Sequence, residues 1–439
     1  MTTYYQQFRN AVYQNISKRS AALLNLMDGV TTSPSVSSPV AVSETAVYQR
    51  QFSSVYDSLR EGEIDVVGLR EALYEYQPPE SETIAEYEVY AVDVTWHNRP
   101  EASTLSDRGQ RKQGRNAPVE QGHKYSWLAR MVSSSPAWVA PQDIERVATS
   151  ETDSQIGVEQ VKRLDAQSKR PKVVVGDSLY GNKVFVAVML LVATVQILVR
   201  LRSNRVLYEK PPPRPKGKKG RSRKYGAKFK LSDPSRPPDR QKRVNFKGQT
   251  VLLEAWHDLR MYGLAEVVGL VLRVQFLNSD GTPRYKRPLW LFWTGPETVP
   301  LVDLCQMYLW RFTIEHAFRF MKQNLGLTAN QSTNLHSLQN WLWVVALAYT
   351  QLLLIRHDVQ DQRPAWHPRF VNGQLKPLTA GQVQRAALTF FLQFDLQTSS
   401  PKRSGKGKGR QKGYRPAPRK RYPVVKKSKK RAKKTKLRA

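Results

Sequence analysis

From residue 87 onward, the sequence alternates strand-like and helix-like segments in an order that restricts the chain to few folds. The strand-like segments are rich in Val, Ile and Tyr, and the helical ones show apolar residues at helical intervals. In chain order they are strands at 87–95, 124–132 and 137–147, a helix to about 167, a strand at 172–177, a helix at 182–192 and a strand at 196–203. This order predicts an α/β fold with a mixed sheet flanked by helices.

Residues 204–300 interrupt this pattern with a segment rich in Pro, Gly and Lys, followed by three strand-like segments, VLLEAWHD, VVGLVLRVQFL and RPLWLFWTG. Because long loops without structure are uncommon in compact domains, we predict a β-rich insertion that carries a basic loop. A helix at 302–326 and an apolar packing helix at 338–355 follow. The predicted core therefore comprises residues 87–203 and 301–357.

The two ends of the chain differ from this core. Residues 1–80 predict a helical N-terminal region, with helices at 1–28, from about Ser43 to Leu59 and from Val66 to Tyr76, and a Ser/Pro linker at 30–43. Residues 395–439 predict a disordered basic tail.

Cysteine content and targeting signals indicate the compartment. The single Cys305 excludes a disulfide framework and a cysteine zinc site, and it fits a reducing interior. The N-terminus lacks the pattern of a secretory signal, and the apolar run at 184–199 is short for a bilayer span. We therefore expect a cytoplasmic, nucleoid-associated protein that does not enter a membrane.

The net charge of +34 is concentrated in two segments. Residues 401–439 contain 19 Lys and Arg and no acidic residue, and residues 211–250 contain 14 Lys and Arg against two Asp. The other 360 residues therefore carry only about +3. A nearly neutral body with two basic segments is the charge distribution expected of a protein that binds nucleic acid.

Three carboxylates stand where phosphoryl-transfer chemistry with two metal ions would need them. Asp93 and Asp177 each come at the end of a predicted strand, and Glu315 lies on the predicted helix 302–326. Hard divalent cations bind oxygen ligands, and two such ions stabilise both the attacking and the leaving oxygen of an in-line displacement. A lone Asp at a strand end is commonly a turn former, so the argument depends on the three together.

The helix that carries Glu315 adds a phenol and two cations on the same predicted face. Tyr308, Arg311, Glu315 and Lys322 follow one another at spacings of three, four and seven residues. At about 100° per residue these side chains share one side of a continuous helix. Such a face is unsuited to a core and suited to holding a metal ion beside phosphates.

This spacing matches the YREK motif of DDE-type insertion-sequence transposases, and residues 87–330 resemble that family. The resemblance implies a ribonuclease H-like core and a DNA transposase that acts by two-metal phosphodiester hydrolysis and strand transfer. It matches the family's first aspartate to Asp93 and its second, followed by an aromatic residue three positions on, to Asp177 with Tyr180. The β-rich insertion ahead of the glutamate helix agrees with the same family.

The resemblance also implies a role for each matched residue. Asp93, Asp177 and Glu315 would be catalytic and would coordinate two Mg²⁺ ions, for which Mn²⁺ could substitute. Tyr308, Arg311 and Lys322 would contact DNA phosphates. Relatives stack a displaced base on a tryptophan from the insertion, for which the candidates are Trp293, Trp290 and Trp256. The partners would be terminal inverted repeats and target DNA, bound by a homodimer.

Two other functions remain open from the sequence. A catalytically inactive or domesticated nucleic-acid-binding protein would have no need of three carboxylates facing phosphate. A structure-specific nuclease on the same fold would keep the acids but not the Tyr, Arg and Lys of the helix.

Overall fold

The computed structural model describes residues 2–112, 114, 116–214, 220–234, 236–371, 373–393, 409, 411–415 and 417–426. Helices occupy both ends of this part of the chain and alternate with strands in its middle. The α-helices are α1 Thr2–Gln14, α2 Ser20–Thr32, α3 Phe52–Glu61, α4 Val66–Glu75, α5 Asp153–Gln167, α6 Lys183–Val186, α7 Leu301–Trp310, α8 Phe312–Gln323, α9 Leu335–Ile355 and α10 Ala380–Leu392. Two 3₁₀ helices span Pro39–Glu44 and Ala187–Leu190.

The strands form one large mixed sheet and two small two-stranded sheets among the described residues. The strands are β1 Ile16–Lys18, β2 Glu63–Ile64, β3 Glu88–Asn98, β4 Gly109–Lys112, β5 Val119–Ser134, β6 Ala137–Val147, β7 Lys172–Gly176, β8 Val195–Leu201, β9 Val206–Tyr208, β10 Lys228–Lys230, β11 Arg240–Phe246, β12 Gln249–Met261, β13 Leu264–Leu277, β14 Leu289–Trp293, β15 Phe370–Val371 and β16 Gln374–Leu375. The large sheet has 12 strands, with the main order β10-β9-β12-β13-β14-β8-β7-β3-β5-β4. The predicted mixed sheet flanked by helices is confirmed.

Strands β3, β7 and β8 run parallel at the centre of the sheet, and β5 and β6 continue it as an antiparallel pair. Strand β7 is buried along its whole length, which explains its uninterrupted Val173–Val175 sequence. Helix α5 starts at a capping box formed by Thr152 and Gln155, which satisfies amides that a helix start leaves unpaired. Parallel strands joined by helices place their carboxyl ends on the same edge of the sheet.

The insertion is part of the same sheet. Strand β14 pairs antiparallel with β8, and β13, β12 and β11 extend the sheet from there. The sequence predicts β12, β13 and β14 but not β9–β11, because these short strands lie in Lys- and Arg-rich segments with little apolar alternation. The insertion therefore adds strands to the core sheet and shares its hydrogen bonds.

The N-terminal helices pack on α9. Arg9 pairs with Asp28, and both contact the buried amide of Gln351 on α9. Within the described residues, α9 alone is long and apolar enough to cross a membrane, but 89% of that apolar stretch is buried inside the protein, as in a core helix. The single helix predicted at 1–28 is instead α1 and α2 with β1 between them, and Ser43 lies in a 3₁₀ helix and does not cap α3.

One part of the predicted disordered tail is docked on the body of the protein. The amide of Tyr422 donates to Ser103 O at 2.8 Å, and the amide of Val425 donates to Arg108 O at 2.7 Å. Residues 417–426, which we call the docked tail segment, thus contact the loop 99–108 that follows β3. The prediction is wrong for this segment. Most of the remaining tail lies outside the described residues.

Candidate active site

Asp93 and Asp177 are neighbours because of the register between two parallel strands. Val92 on β3 pairs with Gly176, the last residue of β7, and an aspartate follows each of these two residues along the chain. Adjacent strands are about 4.8 Å apart, which brings the two carboxylates to the same edge of the sheet. Asp93 lies within β3, where its side chain is 14% exposed, and Asp177 begins the turn after β7.

The turn after β7 is shaped by close packing. A Cβ at Gly176 would meet Tyr180 Cβ at 2.8 Å, so only glycine fits between this buried ring and the strand. Asp177 Oδ1 accepts a hydrogen bond from the amide of Leu179 at 2.8 Å, which fixes the turn and the direction of the carboxylate. The aromatic residue three positions after Asp177 therefore has a structural role.

The predicted helix 302–326 is two helices that meet at Arg311. Helix α7 ends at Trp310 and α8 begins at Phe312. The amide of Arg311 donates to Tyr308 O and the amide of Ile314 donates to Arg311 O, three residues back as in a 3₁₀ turn. The four motif residues therefore differ in environment. Tyr308 and Arg311 are buried, Lys322 is half-buried and the Glu315 side chain is 46% exposed.

Arg311 joins the first aspartate to the glutamate. Its Nη1 donates to Asp93 Oδ2 at 2.8 Å, and its Nη2 donates to Glu315 Oε1 at 2.9 Å. The Arg311 side chain is 5% exposed, so both charge-assisted hydrogen bonds form in a largely dry site. The geometry gives Arg311 a carboxylate-bridging position in this structure, whereas the sequence predicted a contact with DNA phosphate.

The electrostatics of Asp93 reflect its acidic neighbours. Burial raises the pKa of Asp93 to about 6; the Asp177 and Glu315 carboxylates raise it too, and the Arg311 guanidinium lowers it. Asp93 therefore interacts with both other acids of the predicted triad, and Arg311 is the cation that offsets them. A carboxylate cluster short of positive charge is the environment in which a cation binds.

The donor chemistry of these three carboxylates fits a hard divalent cation, because all the candidate ligand atoms are oxygens. In the arrangement described, however, no three His, Cys, Asp or Glu side chains of the described residues are grouped closely enough to hold a metal ion. Arg311 donates to both Asp93 and Glu315 and so occupies one oxygen of each carboxylate. Metal binding would require Arg311 to give up one or both of its carboxylate partners.

Lys322 and Tyr308 are the other two residues of the motif. Burial and the neighbouring Arg111 lower the pKa of Lys322, whereas Glu120 and Asp93 raise it, so its ammonium is within electrostatic range of Asp93. The Tyr308 side chain is buried, and its hydroxyl makes no hydrogen bond to a described residue. The half-buried Lys322 can therefore donate to a phosphate that enters the site, whereas the described conformation does not expose the Tyr308 hydroxyl.

The comparison with protein families identifies the chain. A sequence profile described as DDE superfamily endonuclease matches residues 5–263, more than half of the chain. The chain belongs to the DDE superfamily endonucleases. The matched range includes Asp93 and Asp177 and ends before the helix that carries Glu315. For this DDE endonuclease the third acid of the predicted triad therefore lies outside the matched range, and its role stays a prediction.

Other comparisons add little detail for this DDE endonuclease. No curated protein matches its sequence. A cryo-EM structure of a piggyBac transposase synaptic complex with hairpin DNA aligns with 79% of this chain and 57% of that chain, at 11% identity and a TM-score of 0.37. The DDE endonuclease thus spans little more than half the length of that transposase chain.

The tryptophans predicted to stack a displaced base are in the core of this DDE endonuclease. Trp290, Trp293 and Trp256 are at most 2% exposed, and the Trp293 indole N–H donates to Pro296 O at 3.0 Å. Strands β12 and β14 are covered on the faces that carry these rings, so the described conformation presents none of them to a base. Sequence alone cannot separate a strand tryptophan that faces the core from one that faces solvent.

Sequence reasoning missed Phe312, which lies inside the motif segment itself. Its ring is 42% exposed although it begins α8 next to buried Arg311, whose guanidinium carbon lies 4.8 Å from the ring centre. A phenylalanine between two motif residues carries no signal of exposure in the sequence. The structure therefore offers the exposed ring of Phe312 as a candidate for the role that the resemblance gave to a tryptophan of the insertion.

Proposed function

We propose that this DDE endonuclease is the transposase of a bacterial-type insertion sequence. It would bind the terminal inverted repeats, hydrolyse a phosphodiester to expose a 3′-hydroxyl and direct that hydroxyl at target DNA. The observation that carries the proposal is the cluster in which Asp93 and Asp177 leave adjacent parallel strands and Arg311 joins Asp93 to Glu315. Membership of the DDE endonucleases supplies the reaction class.

The sheet supports a ribonuclease H-like core. Strands β8, β7 and β3 run parallel and are followed by the antiparallel strands β5 and β6, and the helix with Glu315 packs against this sheet. Two rigid strands and one helix therefore deliver the three carboxylates from different directions. This arrangement allows the glutamate to move with its helix while the aspartates stay fixed.

Asp93, Asp177 and Glu315 are the residues that would hold two Mg²⁺ ions, with Mn²⁺ as a substitute. When bound, these ions would stabilise the attacking and leaving oxygens of the phosphodiester. The protein's own part is to position the phosphate. Lys322 and Tyr308 would donate to the phosphate oxygens. Arg311, once released from a carboxylate, would donate to them through the nitrogens of its planar guanidinium group.

The two ends of an insertion sequence must be held together for strand transfer, so the proposed assembly is a homodimer on DNA. The basic segments 211–250 and 401–439 would supply affinity for the phosphate backbone without sequence choice. The chain would then work on the nucleoid in the cytoplasm.

The test is cleavage of a DNA fragment that carries the inverted repeats flanking the gene, in the presence of Mg²⁺ or Mn²⁺. Asp93→Asn, Asp177→Asn and Glu315→Gln should each abolish cleavage while DNA binding is retained. Because the three side chains act as a unit, double variants should lose no more than single ones. Full cleavage by any single variant would remove that residue from the site.

The same assay separates the alternatives. A chain that binds the repeats and cleaves nothing with either metal would be an inactive or domesticated DNA-binding protein. Cleavage that depends on branched or hairpin structure, and not on the repeat sequence, would indicate a structure-specific nuclease.

A further inference from the structure

Two open cavities meet beside Asp177 and Tyr308. One, of about 530 Å³, is lined by Ser178, the residue after Asp177, and by Arg200, Arg202 and Arg287. The other, of about 930 Å³, is lined by the same two arginines, Arg200 and Arg287, and by Tyr308 and Phe312. The two cavities share these arginines and Pro288, so they form one groove along the insertion side of the active site.

The arginines of this groove are exposed and available. Arg200, Arg202 and Arg287 form no ion pair with a carboxylate in the part of the chain that the structure describes, unlike Arg311. Arg200 is the penultimate residue of β8 and pairs with Leu291 of β14, and Arg287 lies just before β14, so both are held where the insertion joins the core. Three unpaired cations beside a catalytic aspartate attract a polyanion.

Arg200 also lies within electrostatic range of the active site. Burial raises the pKa of Tyr308; the Arg311 and Arg200 guanidinium groups lower it, and Asp177 raises it. The Arg200 guanidinium therefore acts on the same hydroxyl as Arg311 and Asp177.

The larger cavity is lined by aromatic rings as well as by cations. Phe246, Tyr285 and Phe312 line it, and Tyr285 is 54% exposed. Phe312 is the ring next to Arg311, whose guanidinium carbon lies 4.8 Å from the ring centre. Cations and exposed rings in one groove are the two elements by which proteins hold a single nucleic-acid strand.

We infer that the groove lined by Arg200, Arg202, Arg287 and Phe312 binds a single DNA strand that leaves the active site, with phosphates on the arginines and one unstacked base on Phe312. This inference rests on the proposed function for the source of the strand. The binding itself can be measured without cleavage.

The first experiment measures binding of fluorescein-labelled oligo(dT) in EDTA, so that no cleavage occurs. The Arg200→Gln/Arg287→Gln variant should bind roughly tenfold more weakly for each arginine lost. Its log–log salt slope should flatten by about 0.7 per lost phosphate contact. Arg200→Lys/Arg287→Lys should keep most of the slope because the charges remain, and exposed Arg385→Gln on α10 is the matched control.

The second experiment separates the base from the backbone. Phe312→Ala should weaken oligo(dT) binding roughly 5- to 150-fold, the range for loss of one stacked base, whereas Phe312→Tyr should not. A strand of abasic spacers of equal length should bind Phe312→Ala and the parent chain equally.

Unchanged affinity and salt slope in the Arg200/Arg287 double Gln variant would overturn the inference, as would equal loss in Arg385→Gln. An effect of Phe312→Ala that persists on abasic strands would overturn the stacking role. If the chain binds oligo(dT) through the groove but cleaves no DNA, the proposed transposase function fails and the groove stands. If the Arg200→Gln/Arg287→Gln variant cleaves inverted repeats at an unchanged rate, the inference about the groove fails and the proposed transposase function stands.

Discussion

Arg311 holds a position that a metal ion could otherwise take between Asp93 and Glu315. Its guanidinium is buried and donates to one carboxylate through each terminal nitrogen. A buried carboxylate that loses such a partner is left uncompensated, at a cost of about 3–5 kcal/mol when nothing replaces it. The same residue therefore supports the fold around Asp93, and it would compete with a metal ion for the two proposed ligands.

Arg311→Gln should make the protein more dependent on metal for stability. Without metal its melting temperature should fall, because Asp93 and Glu315 face each other without a cation. Adding Mn²⁺ should raise the melting temperature of the variant more than that of the parent, since metal no longer displaces an arginine. Thermal unfolding with and without Mn²⁺ measures both effects. Arg319→Gln, at an exposed position on α8, is the control, and equal metal responses in parent and variant would contradict the bridge.

The raised pKa of Asp93 predicts that the stability of the metal-free protein depends on pH. Its pKa is about 6 in the folded state against 3.8 ordinarily, so the folded chain binds the proton more tightly than the unfolded chain. This group therefore favours folding below pH about 4, and that contribution is lost as pH rises to about 6, by up to about 3 kcal/mol. Urea unfolding across this range should show the loss in the parent and not in Asp93→Asn. If the free energy of unfolding fell with pH equally in the parent and in Asp93→Asn, Asp93 would not be the source of the loss.

At the scale of elements, the docked tail segment connects distant parts of the chain beside the site. Buried Arg108 donates to the carbonyls of Arg99 and Pro100, and its second nitrogen reaches Tyr422 O at 3.4 Å. Arg99 in turn donates to three carbonyls of residues 330–332, in the loop that follows α8. The tail, the loop after β3 and the loop after the glutamate helix are thus linked by two buried guanidinium groups.

Removing the docked tail segment should loosen loop 99–108. A chain that ends at residue 416 should show faster amide exchange across 99–108 by mass spectrometry, because Ser103 O and Arg108 O lose their donors. A chain that ends at residue 426 keeps the segment while losing eight of the tail's 19 cations, so it controls for charge. Equal exchange in the two truncated chains would show that the segment contributes no protection.

Local sequence patterns predicted those elements whose side chains alternate or run apolar. Strands β3, β5, β6, β7 and β8 follow from Val- and Tyr-rich segments, but β4 was missed because GQRK lies in a long polar stretch. The break at Arg311 could not be predicted, since the motif spacing fits a continuous helix and the distortion accompanies a contact with Asp93, 218 positions away. Trp290 and Trp293 lie on opposite faces of β14, and both are buried because this part of the sheet is covered on both sides, which the sequence of one strand does not reveal.

At the scale of the whole molecule, the net charge of +34 is concentrated in two segments, and the other 360 residues carry only about +3. The segment 211–250 includes strands β10 and β11 of the large sheet, whereas 401–439 follows the last helix. The tail is therefore the basic segment that can be removed without cutting into the sheet.

Deleting residues 401–439 should flatten the salt dependence of binding to random DNA, because 19 cations no longer displace counterions from phosphates. Preference for the inverted repeats over random DNA should survive, since a backbone contact carries no sequence information. Fluorescence anisotropy across about 50–200 mM salt measures both quantities. A deletion that abolished the preference and left the slope unchanged would contradict this assignment.

The continuity of the large sheet fixes the distance between the strand that leads to Asp177 and the strands of the insertion. From β7, which leads to Asp177, four strand-to-strand steps through β8, β14 and β13 reach β12. At about 4.8 Å per step this is about 19 Å of hydrogen-bonded backbone with no hinge between its ends. A duplex gripped at the outer strands would therefore be cut at a set distance, about five or six base pairs at 3.4 Å each, whatever its sequence.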